Sequence, residues 1–145
     1  MKRFLAVLAV LCGFIPGSAF AAGTIVETLI DHVSGQSVTV TTYTMTSDAA
    51  VSAGTFPATA VGPIDGWIIG VETNPGAVTP TADYDITLVD VDGADVMAGA
   101  LADRSATLTQ KVISPQPYVR GNVTITPTNN SENSAVVVMK ITVLR

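Results

Sequence analysis

The sequence predicts an all-β protein: a single antiparallel β-sandwich, jelly-roll or immunoglobulin-like, of about seven to eight strands, preceded by a secretory signal peptide. Three observations predict it. Stretches of strand length alternate branched or aromatic residues with polar ones. Gly, Pro, Asn and Asp cluster between them as turns. No long stretch shows a helical period, and charged residues make up only 13% of the chain, too few for a helical bundle.

The leader comes first. Lys2 and Arg3 precede an apolar run from Phe4 to Ile15. Pro16, Gly17 and Ser18 break the run, and Ala19-Phe20-Ala21 gives the small-x-small pattern of a cleavage site. The run is shorter than the ~20 residues a stable membrane span needs. Residues 1–21 therefore read as a signal peptide and 22–145 as the sandwich domain. The expected location is the periplasm or the exterior, with no stable membrane span after cleavage.

Cleavage at that point removes Cys12, the only cysteine in the chain. The remaining domain then lacks thiols, so neither disulfides nor Cys-ligated metals are expected. Without Lys2 and Arg3, 5 of the 7 basic residues remain against 12 acidic ones, a net charge of about −7. Arg104, Lys111, Arg120, Lys140 and Arg145 are scattered, so nucleic acid is an unfavourable partner.

Thr24 to Asp31 reads as the first strand, and Ser34-Gly35-Gln36 as a turn. Ser37 to Thr44 alternates cleanly and gives a second strand. Residues 46–64 lack a steady period and read as a long surface connection, with or without a short edge strand. Ile64 to Glu72 predicts a central strand with Trp67, Ile69 and Val71 on one face and Ile68 on the other. Tyr84 to Val91 follows, with Tyr84, Ile86 and Leu88 on one face. Asp92-Gly93 predicts a tight turn, and Asp95-Val96-Met97 a short returning strand. Residues 98–110 fit either a helical turn or a loop. Lys111 to Ile113 and Tyr118 to Thr128 read as strands. Ser134 to Leu144 is the last strand, apolar on both faces. That pattern suits a central strand or one covered by a partner. Val136, Val138 and Ile141 are its candidate core or interface residues.

Chemistry-bearing residues are sparse. Asp90, Asp92 and Asp95 are candidate calcium ligands, since hard cations take carboxylate oxygens. However, Gly93 and Leu101 do not fit an EF-type loop, and an acidic hairpin turn accounts for the aspartates more simply. His32 is the only histidine, and Asp31 beside it projects to the opposite side of a strand, so no triad is expected. Glu27, Glu72 and Glu132 do not single out a glycosidase pair. Trp67 with Tyr43, Tyr84 and Tyr118 fits a sugar-stacking platform, but the apolar neighbours of Trp67 favour a core position. No cofactor and no enzymatic activity are predicted.

From Gly66 to Ser131 the order of short segments carries a resemblance. It runs through Gly66-Trp67-Ile68-Ile69-Gly70, Pro80-Thr81-Ala82-Asp83-Tyr84, Asp92-Gly93-Ala94-Asp95, Gly99-Ala100-Leu101-Ala102-Asp103-Arg104, Gly121-Asn122-Val123-Thr124-Ile125 and Thr128-Asn129-Asn130-Ser131. This order resembles small uncharacterised virion-associated β-domain proteins of tailed bacteriophages and prophages, over roughly residues 36–145. The resemblance implies a non-enzymatic assembly module, capsid- or tail-associated, partnered by itself as a homo-oligomer or by other virion proteins. It carries no site residues. The alternative expectation is an exported module that binds glycans or adheres through calcium.

Overall fold

A computed structural model describes residues 22–32, 37–49 and 54–145. The expected signal peptide, residues 1–21, lies outside the described residues. Within them the chain forms seven strands: β1 (Thr24–His32), β2 (Val38–Thr46), β3 (Thr59–Pro75), β4 (Asp85–Val89), β5 (Gln110–Val112), β6 (Tyr118–Thr128) and β7 (Val136–Leu144). No helix occurs among the described residues, and every strand pairing is antiparallel.

All seven strands belong to one hydrogen-bonded sheet in the order β1-β2-β7-β3-β6-β4, with β5 also on β3. β3 joins the two halves. Its first part, Thr59 to Trp67, pairs with β6, and its second part, Trp67 to Pro75, pairs with β7. Register slips between Val61 and Ile64 and again between Ile68 and Gly70. Bulges of this kind bend a strand and sharpen its twist. The bends curl the sheet.

The buried side chains gather into one cluster. Tyr43 and Met45 of β2, Ile68 and Val71 of β3, Ile86 and Leu88 of β4, and Val123 and Ile125 of β6 form one cluster with Val137, Met139, Ile141 and Val143 of β7. Each such side chain contributes about 1.5–3 kcal/mol by leaving water. Period-two alternation sets this face, and in β7 every odd-numbered residue from Val137 to Val143 is buried.

The structure corrects three expectations. The surface connection expected over 46–64 ends early, because β3 begins at Thr59. The bulge at Gly62-Pro63 lets a strand carry a proline. The returning strand at Asp95 to Met97 shrinks to a single bridge between Val89 and Asp95. Residues 98–109 take the loop alternative, as turns and loop, and Gln110 begins β5. Trp67 is half-exposed, while Ile68 and Val71 are buried. The extra residue Ile69 between Ile68 and Gly70 shifts the alternation, so Trp67 and Val71 take opposite faces.

Gly66 sits hard against the end of β7. Its φ is +147°, and a Cβ there would lie 2.4 Å from the Leu144 carbonyl oxygen. Gly93 is also left-handed, φ +87°, but a Cβ there meets nothing within 4 Å. Gly66→Ala should therefore lower stability by about 3 kcal/mol. Gly93→Ala should lose only about 1 kcal/mol. Urea unfolding of the two variants beside the parent checks the order.

Candidate functional site

The outer face of the sheet is built in rows across the strands. Val38, Leu144, Trp67 and Tyr118 stand side by side on β2, β7, β3 and β6. Trp67 is 50% exposed and Tyr118 53%. Their rings meet edge to face, with centroids 5.4 Å apart and planes at 66°. This corner lines a cleft of about 300 Å³ with Asp65, Gly66, Leu144 and Arg145.

Polar groups rim the corner. The Tyr118 hydroxyl donates to Asp65 Oδ1 at 3.0 Å. That bond, and then the Asp65 charge, hold the Tyr118 phenol above its ordinary pKa, opposed by Arg120. Arg120 lies directly across from Asp65 in the β3–β6 register, exposed to solvent. The aromatic pair therefore forms a platform on the surface, the reading that the apolar neighbours of Trp67 had argued against. Tyr43 and Tyr84 do not join it, because both are buried in the core.

A second cleft, about 280 Å³, opens on the inner face between β1 and the Gly62-Pro63 bulge. Glu27 and Tyr43 line it as cross-strand neighbours. Burial pushes the Tyr43 phenol up to about 12, and Glu27 adds its charge and a hydrogen bond. His32 is exposed at the end of β1, with its Nδ1 3.3 Å from Thr39 Oγ1.

The acidic hairpin is organised by its own backbone. Asp90 Oδ1 accepts from the N–H groups of Asp92 (3.0 Å) and Ala94 (2.9 Å). Asp95 Oδ1 accepts from Leu88 (3.2 Å) and Met97 (3.1 Å), and Oδ2 from Gly99 (2.7 Å). Asp92 is exposed on the turn. Among the described residues no group of three His, Cys, Asp or Glu side chains is placed to hold a metal ion.

The candidate interface residues divide by face. Val136 and Val138 lie on the outer face, partly buried. A neighbouring loop covers Val136: Gly76 donates to its carbonyl at 2.7 Å, and its own N–H reaches the Val78 carbonyl at 2.8 Å. Val138 shares a row with Thr44 and the exposed Val26 of β1. Ile141, in contrast, takes the core alternative at 1% exposure, because odd positions of β7 face inward.

Arg104 is a residue that sequence reasoning missed. The sequence marks it only as one of five scattered cations, and it is buried. Its Nε and Nη1, with the Tyr84 hydroxyl, make no hydrogen bond among the described residues. Burial pushes the Tyr84 phenol up, while Thr73 and Arg104 pull the other way. The only advance signal was its place after Ala102-Asp103, beside a turn rather than in an alternating strand.

Comparison of the chain with protein-family models, curated proteins and solved structures finds no match.

Two tests follow from this geometry. The fold favours protonated Tyr43, so its contribution is complete below pH 10 and lost as pH rises toward about 12. Denaturation midpoints measured across that window should fall more steeply for the parent than for Tyr43→Phe. Asp95→Ala strands three backbone donors and should cost roughly 2 kcal/mol, read by thermal unfolding in calcium-free buffer.

Proposed function

We propose that the protein is a non-enzymatic assembly module that associates with further copies of itself through the open edge of β1. The observation that carries this reading is the contrast between the two ends of the sheet. At the β4 end, the loop 94–104 covers the edge. Arg104 donates to the Tyr84 carbonyl, Ile86 to the Leu101 carbonyl, and Val96 to the Leu88 carbonyl. Proteins commonly blunt an edge this way, because unpaired N–H and C=O groups recruit other strands.

At the other end, no described strand pairs with the outer side of β1. β1 spans nine residues without Lys or Pro, and Val26 and Ile30 are 51% and 49% exposed. A second copy is the occupant this edge suits. An edge strand can pair antiparallel with its own copy, which needs no other partner surface. Val138 lies in the same row as Val26 on the outer face, with Thr44 between them. A sandwich-like closure of the curled sheet gives such a module a rigid core. Association of this kind suits both a virion particle and an exported array.

Light scattering after size exclusion tests the reading. The parent chain should run as a dimer or larger, and Val26→Lys with Ile30→Lys should shift it to monomer while far-UV circular dichroism stays β-type. A parent that stays monomeric as its concentration is raised sinks the reading.

A further inference from the structure

We propose that the corner formed by Trp67 and Tyr118, with Asp65, Arg120 and Arg145 at its rim, is a saccharide-binding site. The occupant is a pyranose ring of a glycan. Four features of the site select that chemistry.

The first is the aromatic geometry. Sugar rings carry an apolar C–H face that packs on an indole or phenol face, and hydroxyl edges that need hydrogen bonds. The two rings stand at 66° with half of each side chain open to solvent. One ring forms a floor and the other a wall. A core pair would be closed on both sides.

The second is the mixed rim. Asp65 keeps Oδ2 without a hydrogen bond among the described residues, because only Oδ1 receives the Tyr118 hydroxyl. It can accept from a sugar hydroxyl. The Arg120 and Arg145 guanidinium groups supply donors, and neither makes an ion pair among the described residues. A hydroxylated ring both donates and accepts, and so uses both kinds of group.

The third is preorganisation. The Tyr118–Asp65 bond fixes the wall before any ligand arrives, and Gly66 holds β3 tight against β7 beneath Trp67. Less ordering entropy is then lost on binding.

The fourth is extent. The cleft of about 300 Å³ is at the small end of small-molecule sites. The apolar surface also stops after one row. The next row is Val40, Thr142 and Gly70, and the one beyond is Thr42, Lys140, Glu72 and Lys111, where Lys140 pairs with Glu72 at 3.1 Å. A stable protein interface needs a broader apolar centre.

The experiment uses the chain's own reporter. Trp67 is the only tryptophan, so intrinsic fluorescence reads this site alone. The probes are chito-oligosaccharides, cello-oligosaccharides and oligogalacturonate, which separate neutral from acidic sugars. At least one should give a saturable change in Trp67 emission. Calorimetry with that sugar should then show about a tenfold or greater loss of affinity in Trp67→Ala and Tyr118→Ala. Asp65→Asn, a gentler change, should weaken binding severalfold with thermal unfolding unchanged. Three results overturn the proposal: no saturable response to any probe, binding unaffected by Trp67→Ala, or a Trp67→Ala effect confined to oligomeric state. The last assigns the corner to a protein contact. The β1 lysine variant separates this proposal from the assembly reading, since it should lose association and keep sugar binding.

Discussion

A single curled sheet can bury one face only if some strand belongs to both of its halves, and β3 is that strand. Its two register slips turn 17 residues into two differently paired segments. Trp67 stands at the changeover, paired with Tyr118 on one side and Leu144 on the other. Removing either bulge would restore simple alternation and carry part of the buried face to the surface, because a one-residue slip reverses every side chain beyond it. The core, the aromatic corner and the order of strands all follow from this strand. At Gly66 any side chain would meet the β7 backbone.

The two ends of the sheet are managed by different means. At β4 the chain spends residues 94–104 on covering an edge, and Asp95 holds that cover by taking three backbone donors. The concentration of aspartates in the sequence thus reflects turn construction. A carboxylate that already accepts N–H groups on both oxygens has less capacity left for a cation. β1 receives no comparable cover among the described residues, and most of its side chains are exposed. It gains little from burial and is held mainly by its ladder to β2. Such a strand is well suited to contribute its second edge elsewhere.

Much of this architecture was legible because alternation and turn residues are local signals. β6 runs from Tyr118 to Thr128 as its pattern indicates, and β2 and β7 lie within two residues of expectation. Tyr84, Ile86 and Leu88 share the buried face that their spacing implied. The failures cluster where local rules break. Gly62-Pro63 concealed the start of β3, because proline opposes a ladder unless a bulge receives it. Trp67 was assigned to the core by its apolar neighbours and to the face of Val71 by counting by twos, which fails across the extra residue Ile69. The aromatic corner needs two strands separated by fifty residues of sequence, and nothing local joins Trp67 to Tyr118. Arg104 was hidden for the same reason: its burial depends on where the loop lands.

The open edge and the aromatic corner are compatible because of where the sheet puts them. β1 and β3 are separated by β2 and β7, a distance of about 14 Å at the usual strand spacing. Pairing at β1 therefore extends the sheet away from Trp67 and leaves the corner open. Antiparallel pairing of two β1 edges about an axis perpendicular to the sheet would keep both outer faces on one side. Seven strand spacings would then separate the two Trp67 strands, about 33 Å. A shallow corner grips one sugar ring weakly, but two corners on one rigid surface can engage a polymer together. The second contact is then intramolecular, and avidity rises without any new contact within either site. Assembly through the exposed strand would in this way strengthen binding at a site that assembly itself does not touch.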